Sequence, residues 1–92
     1  MVKINKGATL VGRIQYTTGR RNVVEFWLDY NRNTGKPILW QRMPEWAAST
    51  SRYTGRNLRL LIGELNDALN KNEAVWMEGP NDKALDALKE MI

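Results

Sequence analysis

Eight arginines and four tryptophans dominate the side chains of this chain that could do chemistry. Residues 22 to 43 read NVVEFWLDYNRNTGKPILWQRM and hold two of those indoles, Trp27 and Trp40, between arginines. A guanidinium grips phosphate through two parallel N–H bonds and also stacks on flat π-systems. An indole offers a large flat ring on which another ring can lie. The charges are unevenly spread. Residues 1 to 60 carry eleven Lys or Arg against three acids, and residues 61 to 92 carry three against seven. The first part of the chain would attract a polyanion, although a net charge of +4 by itself does no more than keep a small domain in solution.

Other chemistry is thin. The chain has no histidine and no cysteine. The usual catalytic bases, nucleophilic thiols and soft metal ligands are therefore missing, and the expectation is a protein that is not an enzyme, with no cofactor and no metal. Glu25 and Asp29 lie four apart on one strand, about 13 Å by strand rise, too far to act on one bond. They are expected to be solvated or paired with arginine. Asp82, Asp86 and Glu90 form an acidic helical stripe without the alternating ligands and turn glycine of a calcium loop. Gly35 and Lys36 lack the rest of a phosphate-binding loop.

Ninety-two residues suffice for one small core and one domain. The run 8–17 alternates and reads as a strand, with Leu10, Ile14 and Tyr16 on one side and Val11, Arg13 and Gln15 on the other. Gly19 marks a turn, and VVEFWLDY (23–30) is a second strand rich in β-branched and aromatic residues. NRNTGKP (31–37) is a loop, and ILWQRM (38–43) is a third strand ending at Pro44. Residues 44–56 read as an irregular connector or short helical turn bearing Trp46, Arg52, Tyr53 and Arg56. NLRLLIGELNDALN (57–70) spaces its leucines for a helix, although 56–60 also fits a fourth strand. Residues 74–79 fit a short edge strand, and 81–92 a short helix with Asn81 as N-cap. The fold class is α+β: a three- to four-stranded antiparallel meander, one main amphipathic helix on one face and a short C-terminal helix.

The alternation of strands sorts the side chains into faces. Val24, Phe26, Leu28, Tyr30, Leu39 and Met43 join Leu10 and Ile14 as the core face. The opposite face collects Val11, Arg13, Gln15, Val23, Glu25, Trp27, Asp29, Ile38, Trp40 and Arg42. Rings set among arginines suit a single-stranded nucleic acid. In that reading Trp27 and Trp40 stack bases and Arg13 and Arg42 flank them. Arg20, Arg21, Arg32 and Lys36 at the strand ends hold phosphates, and Arg52, Tyr53 and Arg56 clamp from the connector. The competing reading buries both indoles under a second layer, a loop or a partner subunit.

Three resemblances point the same way. Three strands, then GRNLRL (55–60) as GR-x-L-x-L and a helix, over about residues 8 to 70, loosely resemble the positive-cofactor type of single-stranded DNA-binding coactivator. LVGRI (10–14) and VWMEG (75–79) resemble the opening and closing strands of bacterial single-strand-binding proteins of the oligonucleotide-binding fold. The basic β-turn signatures and final barrel strand of those families are not evident. The three-stranded sheet plus helix is also similar to the arm-binding domain of phage integrases, which implies a duplex major groove.

The sequence thus leads to a non-enzymatic nucleic-acid-binding domain preferring single-stranded DNA or RNA. Its rival is a small inhibitor or adaptor using the same Trp/Arg face as a protein-binding patch. A homodimer fits either. No segment of residues 1–92 has the apolar length of a signal peptide or membrane span, so a soluble, cytoplasmic protein is expected.

Overall fold

The computed structural model describes residues 4–17, 23–43 and 50–90. Five strands and two helices follow in the order β1 (Thr9–Tyr16), β2 (Val23–Tyr30), β3 (Pro37–Arg42), β4 (Thr50–Tyr53), α1 (Gly55–Asn70), β5 (Ala74–Glu78) and α2 (Asp82–Glu90). All pairings described are antiparallel, in one open sheet of order β4-β3-β2-β1-β5. The class is α+β, as expected, but the described residues hold five strands. The strand missing from the sequence reading is β4, whose TSRY carries neither an apolar run nor a clear alternation. Pairing with β3 holds it in place, not its own propensity.

The hairpin between β2 and β3 forms where the loop residues specify it. Asn31 Oδ1 accepts the backbone N–H groups of Asn33 and Thr34, at 2.8 and 3.1 Å, and Gly35 takes a positive φ of 71° that side chains disfavour. Pro37 opens β3 at a position where its missing N–H disturbs the ladder least. The turn expected at Gly19 lies outside the described residues, as do Arg20, Arg21 and Trp46.

A bulge alters the faces of β1. Leu10 pairs with Trp27 and Gly12 with Phe26, which leaves Val11 as an extra residue. Val11 therefore turns into the core, and Leu10 belongs with the outer face, the reverse of the expected alternation. Gly12 is required by close approach. A Cβ there would stand 2.5 Å from a ring atom of Trp76 and 2.7 Å from the carbonyl oxygen of Glu78.

Val11, Ile14, Val24, Phe26, Leu28 and Leu39 from the sheet share one apolar cluster with Leu58, Ile62, Leu65 and Ala68 of α1 and Ala84 and Leu88 of α2. The leucine stripe of α1 thus meets the expected inner face, and the helical parse of 56–60 is the observed one. Asn81 Oδ1 accepts the N–H of Ala84 at 3.3 Å and caps α2 as expected. Tyr30, placed in the core by alternation, is exposed at the hairpin end. No helix among the described residues is long and apolar enough to cross a membrane.

Candidate functional site

Register across the sheet sets the outer-face side chains in transverse rows. One row crosses all five strands: Glu78 on β5, Arg13 on β1, Glu25 on β2, Arg42 on β3 and Thr50 on β4. Two residues along each of β2, β3 and β4, about 7 Å away, the next row reads Leu10, Trp27, Trp40 and Arg52. Beyond it Asp29 faces Ile38.

Glu25 is the centre of the first row. It is only 4% exposed, yet its carboxylate accepts a hydrogen bond from Arg13 Nε at 2.6 Å and one from the indole N–H of Trp27 at 3.5 Å. Arg42 Nε stands 3.8 Å from the same group, and Arg13 Nη1 reaches Glu78. The pairing with arginine was expected and the burial was not. Burial follows from the flanking rows, because an ion pair inside a pleated face is screened from water by its neighbours. Two guanidinium groups are thereby set in position, and part of their charge is offset by Glu25 and Glu78.

The second row corrects one expectation. Trp27 is half-buried, but Trp40 is 6% exposed, and Ile38, two residues before it on β3 and on the same face, is equally closed at 5%. Both residues, like Glu25, lie outside the apolar cluster that the helices share. The outer face is therefore closed at Trp40 and partly open at Trp27. The Trp40 Nε1 is buried with no hydrogen-bond partner among the described residues. Asp29 is the carboxylate diagonal to Trp40 across the strands. The carboxyl of Asp29 is held below its usual range, first by the hydrogen bond from Asn5 and then, against the opposing effect of burial, by the Tyr30 N–H and by the charge of Arg32. Asn5 Nδ2 donates to Asp29 Oδ2 at 2.8 Å, and the N–H of Tyr30 donates to Oδ1 at 2.8 Å.

The remaining predicted residues are distributed as follows. Arg52 is exposed on the outer face opposite Trp40, whereas Tyr53 pairs with Leu39 and packs against the core, so these neighbours on β4 serve opposite faces. Arg56 is exposed in the first turn of α1, followed by Arg59. Arg32 and Lys36 are exposed in the hairpin. The register brings these groups to one end of the sheet, since β4 leaves its pairing at Tyr53 opposite Leu39, two residues from Pro37. None of Arg32, Lys36, Arg52 and Arg56 has an acidic partner among the described residues. The acids of α1 and α2, such as Asp67, Asp82 and Asp86, belong to the second part of the chain, so the charge division of the sequence persists in the fold.

Sequence reasoning missed Glu78 and Asn5. The first needed the pairing of β5 with β1, and the second lies before any periodic segment. Comparison of the chain with protein-family models, curated proteins and solved structures finds no match.

Proposed function

We propose that the protein binds nucleic acid, with a preference for single strands, through the outer face and hairpin end of its sheet. The observation that carries this reading is the adjacency of the half-buried Trp27 ring to Arg13 and Arg42, both seated on Glu25. A base lying on Trp27 would place its neighbouring phosphates within reach of those arginines and of Arg52. Arg32, Lys36 and Arg56 extend the cationic surface toward the hairpin. Arg20 and Arg21 enter as further phosphate contacts on sequence grounds. Trp40 serves first as the floor under this site and Tyr53 as part of the core behind it.

A second reading, binding of a protein partner or a second copy, is favoured by one observation. The open sheet has two edges, and β5 carries Val75 and Met77 exposed. Unpaired edges with apolar side chains invite another strand.

Tryptophan fluorescence during titration with mixed-sequence single-stranded DNA or RNA, at low and moderate salt, tests the first reading. Quenching that weakens with salt and is lost in a folded Trp27→Ala variant is the expected result. Weaker quenching by a duplex of the same sequence would establish the strand preference. No response at either salt overturns it and directs the search to the β5 edge.

A further inference from the structure

Two aromatic or aliphatic side chains on the outer face, Ile38 and Trp40, are about as buried as the core, although the cluster that includes both helices does not contain them. Trp27 and Arg52 flank Trp40 across the strands, so its cover comes from the outer side of the sheet and not from the helix cluster. The described segment that reaches this region is the chain before β1. Asn5, Lys6 and Gly7 are exposed, Ile4 and Ala8 are half-buried, and Ala8 N donates to Asn5 O at 3.1 Å in a turn. The side chain of Asn5 is bonded to Asp29, whose cross-strand partner is Ile38 and whose diagonal neighbour is Trp40. Asp29 has two oxygens, and both are engaged: one by Asn5 and one by the Tyr30 N–H. The indole N–H of Trp40 beside it has no acceptor among the described residues.

We infer that residues 4–8 are a strap across the hairpin end of the outer face, latched by the bond from Asn5 to Asp29, and that its release uncovers Trp40 as a second stacking ring beside Trp27. The closed state carries an unsatisfied buried N–H, which lowers the cost of opening. On release Asp29 loses the bond from Asn5, and the indole N–H of Trp40 becomes reachable by water. Trp27 and Trp40 are direct cross-strand partners, with Cβ atoms about 5 Å apart, so an uncovered pair presents one continuous aromatic surface. The consequence for binding rests on the nucleic-acid reading, whereas the strap itself does not.

The test uses the full chain with Asn5→Ala, which removes the latch, and Asn5→Asp, which sets like charge against Asp29. Accessibility of Trp40 is read from exchange of its indole N–H with solvent, the signal being assigned by its loss in Trp40→Phe. Unchanged amide signals of β1 to β3 establish that each variant is folded. A lost hydrogen bond of this kind is expected to raise the exchange of the Trp40 N–H by roughly 2- to 10-fold, with the larger change in Asn5→Asp. Single-stranded oligonucleotides are expected to bind the variants more tightly than the native chain by a similar factor. Unchanged exchange in both folded variants overturns the strap, whether or not DNA binds. Faster exchange with unchanged oligonucleotide affinity overturns the gating of a second ring. Faster exchange in a protein that binds no oligonucleotide in either form keeps the strap and removes the nucleic-acid reading.

Discussion

Trp27 and Trp40 are direct cross-strand partners, and one is half-buried while the other is closed off from solvent. Their substitutions should therefore separate binding from stability. Trp27→Ala is expected to lower oligonucleotide affinity by about 1–3 kcal/mol, the value of one stacked base, with a smaller effect on urea unfolding. Trp40→Ala should destabilise the fold by about 3–5 kcal/mol, because it opens a cavity the size of an indole. Trp40→Phe removes the unpartnered N–H together with part of the ring, and the two effects oppose one another. Its cost in urea unfolding should stay below about 2 kcal/mol.

Arg13 and Glu25 form an unequal pair, since the carboxylate is buried and the guanidinium is partly exposed. Arg13→Ala leaves Glu25 buried with only the longer contact to Arg42 and the bond from Trp27, and should cost about 2–4 kcal/mol. Glu25→Gln should cost less, because the arginines it frees can be solvated. The double variant is expected to be more stable than Arg13→Ala alone. A double-mutant cycle by chemical denaturation checks this, and a double variant less stable than both singles would refute it.

Two groups make stability depend on pH in opposite directions. The folded pKa of Asp29 lies below its ordinary value, so the stability it contributes is present above that ordinary value and is lost as pH falls through the folded one. Asn5→Ala should shrink this acid-side loss. The phenol of Tyr16 is raised, first by burial and then by the negative charge of Glu64 and by Tyr53. Its contribution is present below the ordinary tyrosine value and is lost as pH rises through the folded one. Tyr16→Phe should flatten the decline of melting temperature above about pH 10.

Gly12→Ala tests the packing of the β1 and β5 pair. The added methyl meets a ring that can move and a backbone carbonyl that has much less room. A loss of about 1–3 kcal/mol is expected, with a change in the environment of Trp76 visible in its fluorescence. Gly7→Ala, where a Cβ meets nothing within 4 Å, is the control and should have little effect.

The parts of the fold legible in the sequence were those written in period and turn chemistry. The alternation of β2, the hairpin residues from Asn31 to Pro37, the leucines of α1 and the Asn81 cap each name their own conformation locally. β4 was not legible because TSRY acquires its strand geometry from β3. The bulge at Val11 was hidden because Leu10 and Val11 are both aliphatic, so either could face inward. At the site, Trp27, Arg13 and Arg42 could be assigned to one face from alternation alone. The burial of Trp40 depends on what lies over the sheet, and the bond from Asn5 to Asp29 joins residues 24 apart in a segment without periodicity. Neither has a local signature.

The extra residue in β1 also decides on which side of the sheet the chain begins. Beyond Val11 each preceding side chain is displaced by half a pleat period, so Leu10 points with Trp27 and not with Phe26. The approach of residues 4–8 to Asp29 inherits that half-step. Were the same residues paired without the bulge, Val11 would stand opposite Trp27 and Leu10 opposite Leu28, facing the helices, and the start of the chain would be shifted by one residue relative to Asp29. One backbone irregularity thus couples the sidedness of the N-terminal segment to the packing of the core.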